Sequence, residues 1–181
     1  MVKKKFYNAF PILRTERLTL RQPGIEDAGG VFTLRSDKEI NKYLDRQLSN
    51  TIDDAKSFIN KVNESINTSD ALYWAITLSD NNLFVGSICL FNFSDDDDKC
   101  EMGYELLTNF QGQGIMKEAA ESVIAYAFNT IKVQKIEAYC HRDNLRSITL
   151  LNKFSFQQPG EVDKANSELI CYCLTNSIHK Q

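Results

Sequence analysis

The stretch Cys100-Glu101-Met102-Gly103-Tyr104-Glu105-Leu106-Leu107, followed after three residues by Gln111-Gly112-Gln113-Gly114-Ile115-Met116, runs a strand pattern into a glycine-rich turn. Beyond the turn, Ile115, Ala119, Val123, Ala127 and Ile131 recur every four positions, with Ala120, Ile124 and Phe128 beside them. That spacing predicts a helix over 114–131. The first N–H groups of a helix have no intrahelical partner, and the helix dipole adds positive potential, so the junction is an anion site. Gly112 and Gly114 allow close backbone approach and positive φ. There is no G-x-x-x-x-G-K-[ST] loop, and the G-x-G lacks the third glycine of a dinucleotide fingerprint. Taken alone, the residues describe a pyrophosphate cradle of unstated ligand, or a strand-to-helix turn that binds nothing.

Working outward, Arg17 to Arg21 alternates like a strand, and Glu26–Ser36 and Asp53–Ser69 read as helices with polar starts. Tyr73–Leu78 and Leu83–Phe93 read as strands joined by the turn Ser79-Asp80-Asn81-Asn82. After the long helix come a strand at Lys135–Cys140, a helix at Leu145–Lys153 and a strand at Glu168–Leu174. The order is strand, helices, a strand meander, then βαβαβ. This predicts an α/β architecture with helices covering a mixed sheet.

The 181 residues suit one domain over 1–181, and 43% hydrophobic with 25% charged residues is ordinary globular composition. A net charge of -3 gives no basic stripe for nucleic acid. The apolar run after Lys3-Lys4-Lys5 is short and broken by Asn8 and Pro11, which argues against a signal peptide. No stretch reaches the ~20 apolar residues of a membrane span. The five cysteines form no C-x-x-C pair and four of them sit in strand-like apolar runs, predicting reduced thiols in a cytoplasmic protein and no structural metal site.

Gln111 to Met116 resembles the Q/R-x-x-G-x-G/A motif of the GNAT acetyltransferase superfamily. Glu101 to Leu106 with Gln111 to Ala119 resembles the branch containing bacterial ribosomal-protein N-terminal (RimJ/RimL-type) acetyltransferases. Asn144-Leu145-Arg146-Ser147 with Leu150, Lys153 and Phe156 resembles that family's N-x-x-S/A…K-x-G-F segment, and Leu13 to Arg21 its first strand. Two positions depart from the pattern. Met116 stands at the last motif position, where that branch is familiar with Met, and Ser155 replaces the Gly before Phe156.

The resemblance implies a GNAT-like fold with a mostly antiparallel mixed sheet. It also implies acetyl-CoA as cosubstrate, with its pyrophosphate on the backbone of Gly112, Gln113, Gly114, Ile115 and Met116 beside Gln111. The strand ending at Leu106-Leu107 would pair with the pantetheine arm, and the N–H of Leu106 or Leu107 would stabilise the oxyanion. Attack needs a neutral amine, hence a general base. Period two places Glu101 and Glu105 on one strand face. Both are candidates, and Glu101 stands where several GNAT enzymes keep their base. Many GNAT enzymes protonate the leaving thiolate with a Tyr, but the matching residue here is Leu151. The ribosomal-protein branch is thought to use a Ser, which matches Ser147. Ser147 could equally be a plain first-turn residue, and Asn144 could cap its helix or hydrogen-bond the cofactor arm.

The region Phe32 to Ser69, with Tyr43, Asp45 and Arg46, would shape the acceptor pocket. Asp95 to Asp98 reads as a solvated hairpin loop, or as a lure for a cationic acceptor. Arg142 or Arg146 could meet a CoA phosphate. Trp74 reads as core or pocket wall. The acceptor is a peptide N-terminus or a small amine such as a polyamine, amino acid or antibiotic. A catalytically weak acyl-CoA-binding regulatory module is the competing reading, and a homodimer is left open.

Overall fold

The computed structural model describes residues 9–94, 98–159 and 168–176. The segments proposed from Met1 to Asn8 and at Asp95 to Asp97 therefore lie outside the described residues. Seven strands form one sheet in sequence order: β1 Leu13–Arg14, β2 Leu18–Arg21, β3 Ala71–Leu78, β4 Phe84–Phe91, β5 Lys99–Leu106, β6 Lys135–His141 and β7 Leu169–Thr175. All neighbours are antiparallel except β5 and β6. Helices α1 (Ala28–Ser36) and α2 (Ile52–Asn67) separate β2 from β3, α3 (Ile115–Tyr126) joins β5 to β6, and α4 (Leu145–Lys153) joins β6 to β7. The expected mixed, mostly antiparallel sheet is what the chain forms.

The expected boundaries hold within a few residues, with three local differences. The single strand expected over Leu13 to Arg21 turns back on itself as the antiparallel hairpin of β1 and β2. The polar start at Ile25–Asp27 is a tight 3-10 turn before α1, closed by the Asp27 carboxylate, which accepts from the Gly24 amide at 2.9 Å. The predicted single helix over 114–131 is α-helical to Tyr126 and widens into a π turn at Ala127–Ile131. Helix α2 starts at a capping box, with the Asp54 amide donating to the Thr51 hydroxyl and the Asp54 carboxylate accepting from the Thr51 amide.

Two apolar clusters lie against the sheet. The larger joins Leu72, Trp74, Ile88, Cys100, Met102 and Ile136 to Ile115, Ala119 and Val123 of α3 and Leu151 of α4. The smaller joins Val31 and Leu34 of α1 and Ile59 of α2 to Ala75 and Phe84, with Leu107 packed against it. Trp74 is fully buried, and its indole N–H donates to the Pro11 carbonyl at 2.7 Å, so it is core. Cys100 and Cys140 are buried and Cys89, Cys171 and Cys173 half-buried, all as free thiols. Burial pushes the Cys89 and Cys100 thiols up to about 12, which makes them poor nucleophiles.

Ser155 has φ 62. The segment pattern this stretch resembles has Gly at this position, and a left-handed backbone is what Gly tolerates best. A non-glycine residue there costs about 1–2 kcal/mol, so Ser155→Gly is expected to stabilise the protein by about 1 kcal/mol in urea unfolding. An unchanged or lower midpoint would contradict this account of the turn.

Candidate active site

The site begins with a failure of strand pairing. β5 pairs with β6 only over Lys99–Glu101 against Lys135–Glu137. It stays paired to β4 as far as Leu106, and β6 stays paired to β7 as far as His141. A wedge therefore opens between the second halves of β5 and β6, with its apex at Glu101. The Leu107 amide donates to the Val85 carbonyl at 2.9 Å. Backbone direction alternates along a strand, so the Leu106 amide points the other way, into the wedge. Of the two oxyanion donors the sequence left open, Leu107 is committed to β4. Gly86 makes this junction: a Cβ there would lie 2.3 Å from the Glu105 carbonyl oxygen and 3.0 Å from the Leu106 Cα. Val85, Gly86, Glu105 and Leu106 can sit this close only without that side chain.

Gln111 to Met116 lies just past the open end of β5. Gly112 and Gly114 have φ 77 and 78, and Gly114 is the left-handed N-cap of α3. Among the described residues no side chain caps α3, so its first amides are not taken up locally. Ile115 and Met116 bury their side chains in the core, leaving only their backbone at the turn. The Gln113 side chain donates back to the Asn109 carbonyl at 2.8 Å. Backbone, not side chains, therefore forms this cradle, which fits a pyrophosphate.

Residues the sequence reading did not single out hold the cradle in place. The Arg17 guanidinium donates to the Gln113 carbonyl at 3.1 Å and to Glu118 at 2.7 Å. Glu118, in the first turn of α3, also accepts from the Thr15 hydroxyl at 2.5 Å and the Arg17 amide at 2.9 Å. Burial opposes the charge on Glu118, but these hydrogen bonds outweigh it and hold its carboxyl below the usual range. The β1–β2 hairpin is thereby strapped to the start of α3. Arg17 and Glu118 are far apart in sequence, and no local pattern joins them.

On one face of the wedge stands α4. Asn144 caps it, accepting from the Ser147 amide at 3.2 Å, so the capping role read from sequence is real and occupies its side-chain oxygen. The Ser147 hydroxyl lies 2.7 Å from the Tyr104 hydroxyl, spanning β5 and α4. Burial pushes the Tyr104 phenol up, against the opposing effect of its hydrogen bond with Ser147. Tyr104 was not among the sequence candidates, because period two puts it on the strand face away from Glu101 and Glu105. Its shared face with Leu106 was the available signal. Leu151, which the resemblance places where many GNAT enzymes carry Tyr, is fully buried. Arg146 hydrogen-bonds the Gln111 side-chain oxygen, and the Gln111 amide donates to the Leu106 carbonyl at 2.9 Å.

On the other face lies the connection between α1 and α2. Arg46 forms a two-pronged ion pair with Glu105, one contact at 2.9 Å, while its Nε donates to Asn41. The Tyr43 ring stacks on His141 with centroids 5.1 Å apart. The connection therefore crosses from β5 to the end of β6. Glu101 accepts from the Asn92 side-chain amide at 3.0 Å and has no cationic partner among the described residues. The two strand carboxylates are thus unlike: Glu105 is locked in a salt bridge, and Glu101 sits at the apex with only a neutral donor. Across β6, Glu137 and the thiols of Cys171 and Cys173 lie within 4.8 Å of one another, but Glu137 is already paired with Lys99 and Lys135.

This chain is similar to known proteins in family and in fold. The family model for the acetyltransferase (GNAT) domain matches residues 17–157. An uncharacterized N-acetyltransferase, p20 of Bacillus licheniformis, is 34% identical over 162 residues, covering 87% of this chain and 90% of its own. Among solved structures, RimL, a ribosomal L7/L12 alpha-N-protein acetyltransferase in complex with coenzyme A, superposes with a TM-score of 0.80 at 16% identity, covering 91% of this chain and 98% of that one. The microcin C7 self immunity acetyltransferase MccE, in complex with acetyl-CoA and AMP, superposes with a TM-score of 0.75 at 22% identity, covering 90% and 94%.

Proposed function

The chain belongs to the GNAT acetyltransferase family, and from that premise we propose that it moves the acetyl group of acetyl-CoA directly to a primary amine within a ternary complex, with a peptide α-amine as the acceptor. The family uses acetyl-CoA. The observation that carries the reading for this chain is the wedge: β5 leaves β6 immediately before a left-handed glycine turn that caps α3.

In this reading the first amides of α3, with those of Gln113 and Gly114, hold the pyrophosphate. The free edge of β5 from Met102 to Leu106 takes the pantetheine arm as an added strand. The thioester end of the arm then lies toward the apex, beside Glu101. There a wedge-facing β5 amide stabilises the charge that develops on the thioester oxygen, and the Leu106 amide meets the arm nearer the pyrophosphate. Glu101 removes a proton from the attacking amine, directly or through water, because only the neutral amine has a lone pair to give. Glu105 serves as an anchor for Arg46 and so for the acceptor-side connection. Tyr104 and Ser147 offer a hydroxyl to the departing sulfur from the opposite face. The peptide α-amine is favoured because its ordinary pKa of about 8 leaves more neutral amine than an alkyl amine near about 10.4.

The test is release of free thiol from acetyl-CoA across a panel of peptides and small amines. At least one peptide is expected to stimulate release, and Glu101→Gln is expected to lower kcat/KM by about a hundredfold while leaving CoA affinity unchanged. Tight CoA binding with no amine-stimulated release, and no effect of Glu101→Gln, would replace this reading with a regulatory acyl-CoA-binding module.

A further inference from the structure

The acceptor side of the wedge also holds a guanidinium with no ion-pair partner among the described residues. Arg35 lies in the last turn of α1, with its guanidinium carbon 3.9 Å above the Phe58 ring of α2. Phe58 packs edge-on against Tyr73 of β3 at 5.8 Å between centroids, and the Tyr73 hydroxyl donates to Ser87 at 2.7 Å. Tyr73 and Ser87 belong to the same sheet face as Glu105: the register pairs Ser87 with Glu105 and Tyr73 with Cys89. Arg35 is thus wedged between both helices and the sheet, beside the Arg46–Glu105 pair.

The Arg35 Nε is buried and has no hydrogen-bond partner, the one such side-chain atom among the described residues. No carboxylate within ion-pair distance of Arg35 is found among them either. Glu105 is the nearby anion, and both its oxygens are taken by Arg46. Arg46 therefore takes the nearby carboxylate, and Arg35 is left without one. Leaving a half-buried cation unpaired is costly unless something neutralises it. Burial first, then repulsion from Arg46, works against the charge on Arg35, while Glu105 and Tyr73 favour it.

We propose that Arg35 is the anion subsite of the acceptor pocket, so the amine acetylated by this protein carries a carboxylate. This rests on the acetyltransferase reading above and narrows its acceptor class. The planar guanidinium fork matches a carboxylate in two-point geometry, and its stacking on Phe58 fixes the plane of the fork. A cationic acceptor such as a polyamine would meet like charge at the same place.

Two matched pairs of acceptors separate the sources of that carboxylate. A peptide beginning with Asp is compared with its Asn twin, and free alanine with alaninamide. For each, thiol release from acetyl-CoA and calorimetric binding to the CoA-loaded protein are measured with wild type, Arg35→Gln and Arg35→Lys. The carboxylate member of at least one pair is expected to bind and react about tenfold to a hundredfold better. Arg35→Gln should erase that preference through KM while leaving the neutral twin unchanged, and Arg35→Lys should restore part of it. Thermal unfolding of each variant confirms that it is folded. Equal or better use of the neutral twins by wild type, or equal loss on both twins in Arg35→Gln, overturns the inference while the acetyltransferase reading stands. Arg35-dependent binding of the carboxylate twin with no thiol release supports the subsite and overturns the acetyltransferase reading.

Discussion

Gly114→Asp is expected to yield a folded protein whose affinity for coenzyme A is at least about a hundredfold weaker, measured by calorimetric titration. Gly114 has φ 78 and caps α3, and a Cβ placed there would lie 3.5 Å from the Arg17 guanidinium. An Asp side chain would therefore project toward the cation beside the cradle and take the place of the phosphate. Like charges about 4 Å apart at a protein surface repel by roughly 4 kcal/mol at an effective dielectric near 20. That alone exceeds a hundredfold. Asp also tolerates left-handed backbone better than most residues, which favours survival of the fold. Gly114→Ala carries the backbone cost without the charge and should lose much less affinity. A folded Gly114→Asp protein with unchanged affinity would remove the cradle from this turn.

Tyr104→Phe and Ser147→Ala are each expected to lower kcat by about tenfold or more, with CoA affinity little changed. The double variant should be no worse than the poorer single one. The two hydroxyls are 2.7 Å apart, so either can orient the other toward the departing sulfur. The raised Tyr104 phenol keeps its proton at neutral pH and acts as a hydrogen-bond donor to developing thiolate, more than as a strong acid. A hydrogen bond to a charged group is worth about 1.5–3 kcal/mol, which sets the expected tenfold to hundredfold. Single-turnover measurements read the step directly. Full rates in both single variants, or losses that simply multiply, would show that the pair does not act as a unit on the leaving group.

The element order was legible because it is written in local periods. The four-residue recurrence after Gly114, the alternation in β5 and the polar turn at Ser79 to Asn82 each report short-range geometry. The glycine turn was legible for the same reason: positive φ is a property of one residue and its neighbours. Even Ser155 carried information, since the departure from Gly marks a left-handed position that the fold retains.

The roles within the wedge were not legible in that way. Period two placed Glu101 and Glu105 on one face but could not tell them apart, because what separates them is Arg46, 59 residues from Glu105. Tyr104 and Ser147 meet across 43 residues, and Arg17 and Glu118 across 101. Leu107 is excluded as an oxyanion donor by its bond to Val85, a matter of register between strands. The sequence by itself determined the strands, the helices and a backbone suited to an anion. Tertiary structure alone decided where β5 leaves β6, which carboxylate is locked, and which cation is left over. Local periodicity is fixed by residues within a turn or two, whereas charge pairing and strand separation depend on which distant segments the folded chain brings together.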